Sequence, residues 1–534
     1  MTQKVKSKLI KAPSKSKKQT AALRQWILTL SGSVLCLAII ATAFFFLFHS
    51  RRSSAAAYLP AQETLGYLEI SGQSAPAALQ PFLKGHDWID LFAPFFTSFL
   101  DQADLNQFFY EGGAVAFIKI EDRVSPVVLL PVRNREAIDL YFKQSNTLSS
   151  VTVGPYLAIA KDAKALETVL TPVSGSLKEE SLFEKSSSQL PRKPWIRGYL
   201  KSSSFDSLLS FAINKTFKDL SGPLEKIIDH VSFTIQQDQQ GLKFNTYSAF
   251  RPEILEAQED DTISFPASSY KLTEFLSAEN LLTYIGGANL DQEWQNTLQT
   301  LQNINPSYAI IFEGLLGAQV KRLFGDAVHL RNDLYPLFDG EYALGISAPK
   351  NSTFDPAPLQ VQLVLAHTDR AFAETKMKKM IDGFRGVGAQ FVPRLEIHDL
   401  PDGTQTKILV ADPNRMKERN ENYKGFPVAC IEITDSVYGF CYSVMEKAVV
   451  MSNTFAGVQQ SIDLSLQPRF VLSQHQPFRK GLSRLAQVND QMTFLNLEGL
   501  KSLGFPWLAP FSSTTWVKQF FRDGMSAEGY LLLK

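Results

Sequence analysis

The chain has 534 residues, 54 basic against 53 acidic side chains, a formal charge of +1 and three cysteines. That length is too great for one ordinary domain, and so few cysteines exclude a disulfide-dense scaffold. The near-neutral total conceals an asymmetry. Ten of the basic residues precede Ser53, whereas the first acidic residue is Glu63, so the bulk of the chain is mildly acidic and offers no surface suited to nucleic acid.

Residues 1–25 form a basic tail with Lys4, Lys6, Lys8, Lys11, Lys15, Lys17, Lys18 and Arg24 and no acid. Residues 26–48, Trp26 to Phe48, carry no charge at all. As a helix rising about 1.5 Å per residue they span a hydrocarbon core of about 30 Å. The cations before this stretch outnumber Arg51 and Arg52 after it, which predicts a cytoplasmic N-terminus and an extracytoplasmic body. A cleaved signal peptide is the rival reading, with Ala55, Ala56 and Ala57 as the cleavage site; the length of the apolar run favours an uncleaved anchor.

The body opens with YLPAQETLGYLEISG, where Pro60 bars a helix and Leu65–Ile70 reads as a strand. Trp88, Phe92, Phe95, Phe96 and Phe99 recur at three-to-four spacing, an aromatic helical face. GGAVAFIKI and SPVVLLPV read as paired strands, NREAIDLYFKQ as a helix capped by Asn134, VTVGPYLAIAKD as strands, and DAKALETVLTP as a short helix. VSFTIQQ and GLKFNTYSAF close this part as a hairpin.

A second pass of the same plan follows. FYEGGAVAFI at 109–118 matches LFDGEYALGI at 337–346, LLPVRNREAI matches LVLAHTDRAF, LAIAKDAKAL matches VVMSNTFAGV, and TLGYL matches LLTYI. The expected architecture is therefore α+β. An N-terminal transmembrane helix is followed by two tandem related units of antiparallel sheet, each with helices packed on one side. The units are 58–250 and 266–534, with an acidic linker at 251–265 and an insertion near 383–438 in the second.

Cys430 and Cys441 flank a turn at Asp435-Ser436 that would bring them face to face on adjacent strands. An oxidising compartment would join them; otherwise they are two buried thiols. Cys36 lies within the apolar stretch.

A body opening YLPA-x-x-T-L-x-Y-L at 58–68, followed by strand–Asn/Asp–helix units, resembles a bacterial family of uncharacterised, membrane-anchored extracytoplasmic proteins. The resemblance implies a place in the bacterial inner membrane with the body in the periplasm, and it brings no catalytic residues.

Catalytic signatures are missing: H-E-x-x-H, G-x-x-x-x-G-K-[ST], G-x-S-x-G and C-x-x-C do not occur. GFRGVGAQF follows a helical pattern instead of opening one, so it reads as a helix end and not a phosphate cradle. The seven histidines are scattered, with His86-Asp87 and His398-Asp399 as adjacent pairs in solvated loops. No catalytic residue, cofactor or metal is expected. The aromatic clusters are the one functional lead: Trp88, Phe92, Phe95, Phe96, Phe99, Trp507, Phe511 and Trp516 form either core or a surface for an apolar ligand or partner. The expected function is a non-enzymatic envelope protein that binds or scaffolds a partner. The alternatives are a lipid or apolar-ligand carrier with an aromatic cleft and, third, a hydrolase with a dispersed site.

Overall fold

The computed structural model describes Ser54–Lys534 apart from residues 71–111, 122, 133–147, 173–174, 192–193, 205–227, 239, 252–267, 288–305 (298 and 302 excepted), 339, 349–358, 402, 435–438, 487–489, 503–507 and 522. The apolar stretch Trp26–Phe48, the aromatic segment with Trp88, Phe92, Phe95, Phe96 and Phe99, Trp507 and the acidic linker beyond Arg251 lie outside the described residues. Among the described residues no helix is long and apolar enough to cross a membrane.

The fold is α+β, built on one antiparallel sheet of eighteen strands. From one edge the first half runs β4 (Ser149–Val153), β5 (Tyr156–Ala160), β3 (Arg123–Pro131), β2 (Gly113–Ile120), β1 (Thr64–Ile70), β6 (Ile196–Lys201), β7 (Ile228–Asp238) and β8 (Gly241–Phe250). It continues through β20 (Gly524–Leu533), β19 (Phe511–Phe521), β18 (Gln491–Asn496), β9 (Leu282–Gly286), β10 (Tyr342–Ser347) and β11 (Gln360–Ala366). It ends with β17 (Ala448–Ser452), β16 (Gly439–Val444), β15 (Phe426–Ile433) and β14 (Met416–Tyr423). Two further strands, β12 (Arg394–Asp399) and β13 (Gln405–Val410), form a separate hairpin.

Strand alternation sends neighbouring side chains to opposite faces. On one face Tyr67, Ala116, Leu129 and Tyr199 pack against α1 (Ala163–Leu170) and α2 (Ser181–Ser188). On the same face Ile285, Val364, Val450 and Phe494 meet α5 (Phe455–Leu466) and α6 (Gln476–Leu482). The opposite face of the second half, with Tyr342, Leu365 and Val449, is covered by α3 (Pro306–Phe324) and α4 (Arg370–Val387). The expectation of helices on one side is thus corrected. AVVMS is buried at every position and VQLVLA carries apolar residues at consecutive positions, Val364 and Leu365, which need cover from both sides. A seventh helix, α7 (Leu497–Ser502), follows β18. In α4 the reading of GFRGVGAQF as a helix end fits, since the helix stops at Val387 with Gly388 as its C-cap.

The two halves are connected alike. β1 lies between β2 and β6 as β9 lies between β10 and β18. Leu177 donates its N–H to the carbonyl of Leu59, and Leu472 does the same to Leu276; all four side chains are buried. Asp162 caps α1 and Thr454 caps α5, each after the strand that pairs with β3 or β11. The Phe183 ring meets Tyr199 edge-on at 5.2 Å, and Phe478 meets Phe494 at 5.4 Å. Where the halves join, Asn245 of β8 pairs with Glu528 of β20. On either side of that pair the bonds are reciprocal: Phe250 N–H to Asp523 carbonyl, Leu533 N–H to Gln240 carbonyl. The strands β12 to β15 have no counterpart among the described residues of the first half.

Candidate functional site

The β12–β13 hairpin carries an exposed apolar surface. Its register sets Leu395 opposite Leu409, and Ile397 shares their face. These three are 56%, 69% and 58% exposed. The other face is mixed, with Ile408 and Val410 opposite Glu396 and Arg394; there Glu396 pairs with Arg394 and, at 3.2 Å, with His398 Nε2. The Glu396 carboxyl is held below its usual range, first by the Arg394 hydrogen bond and then by His398. An isolated two-stranded ribbon is marginal in water, and one that shows leucine and isoleucine to solvent is suited to burial against something else. A second exposed apolar patch, Ile310, Ile311 and Leu315, lies on α3.

The aromatic residues named from the sequence divide differently. Phe511 is 1% exposed and is spent on the core, and Trp516 is half-buried on β19 with its indole where a side chain at Gly529 would have to go. Cys430 and Cys441 are brought together: they are register partners on β15 and β16, with Cα atoms 3.9 Å apart and their sulfurs in disulfide contact. Glu432, on the same face, accepts the Phe455 N–H that opens α5 at 3.0 Å. The two sulfurs and this carboxylate lie within 4.8 Å of one another, yet the carboxylate is engaged with the helix end and the sulfurs are joined to each other and buried, so the trio fits a structural tie better than a metal centre.

Titratable groups collect beneath α2. Glu180 pairs with Lys201 at 3.0 Å, Lys201 also donates to the Ala61 carbonyl at 2.7 Å, and Ser186 and Ser232 hydroxyls meet at 2.7 Å. His230 Nδ1 lies 2.9 Å from Asp229 Oδ2. That hydrogen bond is the main reason the Asp229 carboxyl sits below its usual range, with Arg251 and Lys201 adding to it against burial. Burial, then Glu180 and Asp229, drives the Tyr199 phenol well up. An Asp–His pair beside serines invites comparison with nucleophilic catalysis, but His230 and Tyr199 are each 1% exposed, Ser232 is 2% exposed and Ser186 fully buried, which gives a substrate no approach. Of the two adjacent pairs expected in solvated loops, His86-Asp87 and His398-Asp399, the second lies instead on the strand β12. His86 and Asp87 lie outside the described residues, His398 pairs with Glu396, and the adjacent pair that forms is Asp229-His230. A register shift between Ile228 and His230 lies at this pair.

A buried acid lies just before β18. Asp490 is 5% exposed, and burial pushes it up to about 6 against the opposing Phe520 N–H bond. A folded-state pKa above the unfolded value favours folding at low pH, and that contribution is lost as pH rises through about 6. Asp490→Asn keeps an acceptor for Phe520; it is expected to stabilise the protein by roughly 2 kcal/mol at pH 8 and hardly at all at pH 4, read from urea melts at both.

With this geometry in view, the comparison with protein families is informative. Residues 133–384 match a family described as "Protein of unknown function (DUF3352)". The match runs from the segment after β3, across the linker, to α4, and so takes in parts of both halves. It fits the uncharacterised domain family that the sequence resembles. No curated protein and no solved structure matches the chain.

Proposed function

We propose that the chain is a non-enzymatic, single-pass envelope protein whose body, two related α+β units, stands outside the cytoplasm and binds or scaffolds a partner. The charge-free stretch Trp26–Phe48 behind a basic tail supports the anchor, and the like connection of β1–β8 with β9–β11 and β16–β20 supports a duplicated body. The observation that carries the binding role is the β12–β13 hairpin, which has no counterpart among the described residues of the first half and holds Leu395, Ile397 and Leu409 in solvent. Apolar side chains on an appended ribbon stabilise no core of their own and gain free energy when a partner covers them.

The test is a pair of substitutions in the full-length protein, Leu395→Asp with Leu409→Asp. Both side chains are exposed, so the melting temperature is expected to stay within about 2 °C. Cross-linked envelope complexes that copurify with the wild type are expected to fall at least about tenfold. If deletion of the protein left every envelope complex intact in sedimentation, or the double variant captured the same partners equally well, the binding role would be lost.

A further inference from the structure

The two ends of the eighteen-stranded sheet are treated differently. β14, at one end, reads MKERNENY and is exposed over six of its eight residues, with Lys417, Glu418, Arg419 and Glu421 along it. Such a row of charges discourages another strand from pairing there. β4, at the other end, reads SSVTV, with no charge, no proline and no bulge. Among the described residues it hydrogen-bonds β5 alone, so its outer row of N–H and C=O groups faces outward.

The second half shows what belongs at that position. β4 pairs with β5 as β16 pairs with β17, each the hairpin partner of the strand next to β3 or β11. β16 is not an edge: β15 lies along its outer side, with Ala429 opposite Tyr442 and Cys430 opposite Cys441. The same fold therefore accepts an antiparallel strand at this place, and in the first half nothing in the chain's described residues supplies it.

We infer that the open edge of β4 is a homodimer contact, in which β4 pairs antiparallel with β4 of a second copy and joins two sheets into one. The strand is complementary to itself. With Val151 on the dyad, Val151 meets its own copy, Ser149 meets Val153, and Ser150 meets Thr152. Val151 and Val153 already pack on the apolar core of the first half, so this side of the join is largely apolar. On the other side serine faces threonine, a pairing that stabilises adjacent strands through hydroxyl hydrogen bonds. No like charges meet, because β4 has none. The chain makes the same kind of join internally, where β8 and β20 run antiparallel through the Asn245–Glu528 pair. A five-residue edge is a small contact; two chains held in one membrane meet at high effective concentration, which offsets its modest area. The inference is independent of the partner-binding role given to the hairpin.

The test uses the full-length protein in detergent or nanodiscs. Sedimentation equilibrium is expected to show a concentration-dependent dimer. Ser150→Lys with Thr152→Lys, on the outer side of β4, places lysine opposite lysine in both halves of the contact and is expected to weaken it at least about tenfold without changing the melting temperature. In a second variant, Ser150→Cys with Thr152→Cys in a Cys36→Ser background, mild oxidation is expected to give a covalent dimer, whereas Lys417→Cys on β14 in the same background does not. A monomer at every concentration, a dimer indifferent to the two lysines, or cross-linking through position 417 instead would overturn the inference. So would capture of a different protein by the β4 cysteines in place of a second copy. None of these results would touch the hairpin's role, which the Leu395 and Leu409 variants test separately.

Discussion

Asp333→Ala is expected to be among the most destabilising single substitutions in the protein, at about 3 kcal/mol. The carboxylate is 1% exposed and receives Lys376 at 3.0 Å, Lys379 at 2.6 Å and the His329 N–H at 2.8 Å. These contacts tie the turn Leu330–Leu334 to α4. Alanine leaves two ammonium groups facing each other without their counter-charge. Because Lys376 and Lys379 are themselves 20% and 40% exposed, water relieves part of that cost, which keeps the estimate at the lower end for a buried pair. Burial alone would raise the Asp333 pKa; Lys379, the His329 N–H and Lys376 together outweigh it and bring it down to about 2. A depressed folded-state pKa gives stability that is present above the ordinary carboxylate value near 4 and is lost as pH falls toward about 2. Urea melts of wild type and variant should therefore differ fully at pH 7 and converge between about pH 4 and pH 2. A constant difference across that range would contradict the role assigned to the carboxylate.

Phe494→Ala is expected to cost about 3–5 kcal/mol. The side chain is fully buried on β18, between β9 and β19, with Phe478 edge-on at 5.4 Å and the His475 ring at 5.8 Å. Its neighbours Phe478, Met492 and Val517 are themselves buried in the same core, so little of the space is expected to be filled by collapse. Phe494→Leu keeps most of the volume and should cost about 1–2 kcal/mol. Denaturant midpoints give both numbers, and equal effects from alanine and leucine would show that the site relaxes where rigid packing is expected.

Much of the local architecture is legible in the chain. TLGYLEI forms β1, GGAVAFIKI contains β2, SPVVLLPV covers all of β3 but its first two residues, and Asp162 caps the helix read from DAKALETVL. The register of Cys430 with Cys441 agrees with pairing counted outward from a turn at 435–436. These features are encoded within a dozen residues by alternation, capping or turn chemistry. What the chain does not disclose depends on contacts between distant segments. Nothing in GLKFNTYSAF says that β8 will pair with β20, some 280 residues away, and make one sheet of two. Asp229-His230 looks like any adjacent pair until the strand register shifts beside it. In β12 Leu395 and Ile397 alternate with polar residues, the pattern of a half-buried strand, so their exposure becomes visible only when the hairpin is seen apart from the main sheet. The aromatic lead fares unevenly: Phe511 is buried in the core, whereas Trp516 is half-buried.

The proposal that matters most is compartment, because an extracytoplasmic body gives the Cys430–Cys441 contact an oxidising setting and gives the exposed hairpin an envelope partner. The most direct measurement is a pair of fusions at Lys534, one to alkaline phosphatase and one to green fluorescent protein, expressed from the full-length gene in a bacterial host. The predicted result is an active phosphatase and a dark fluorescent protein, both in the membrane fraction. A fluorescent fusion with inactive phosphatase would place the body in the cytoplasm and contradict the proposal.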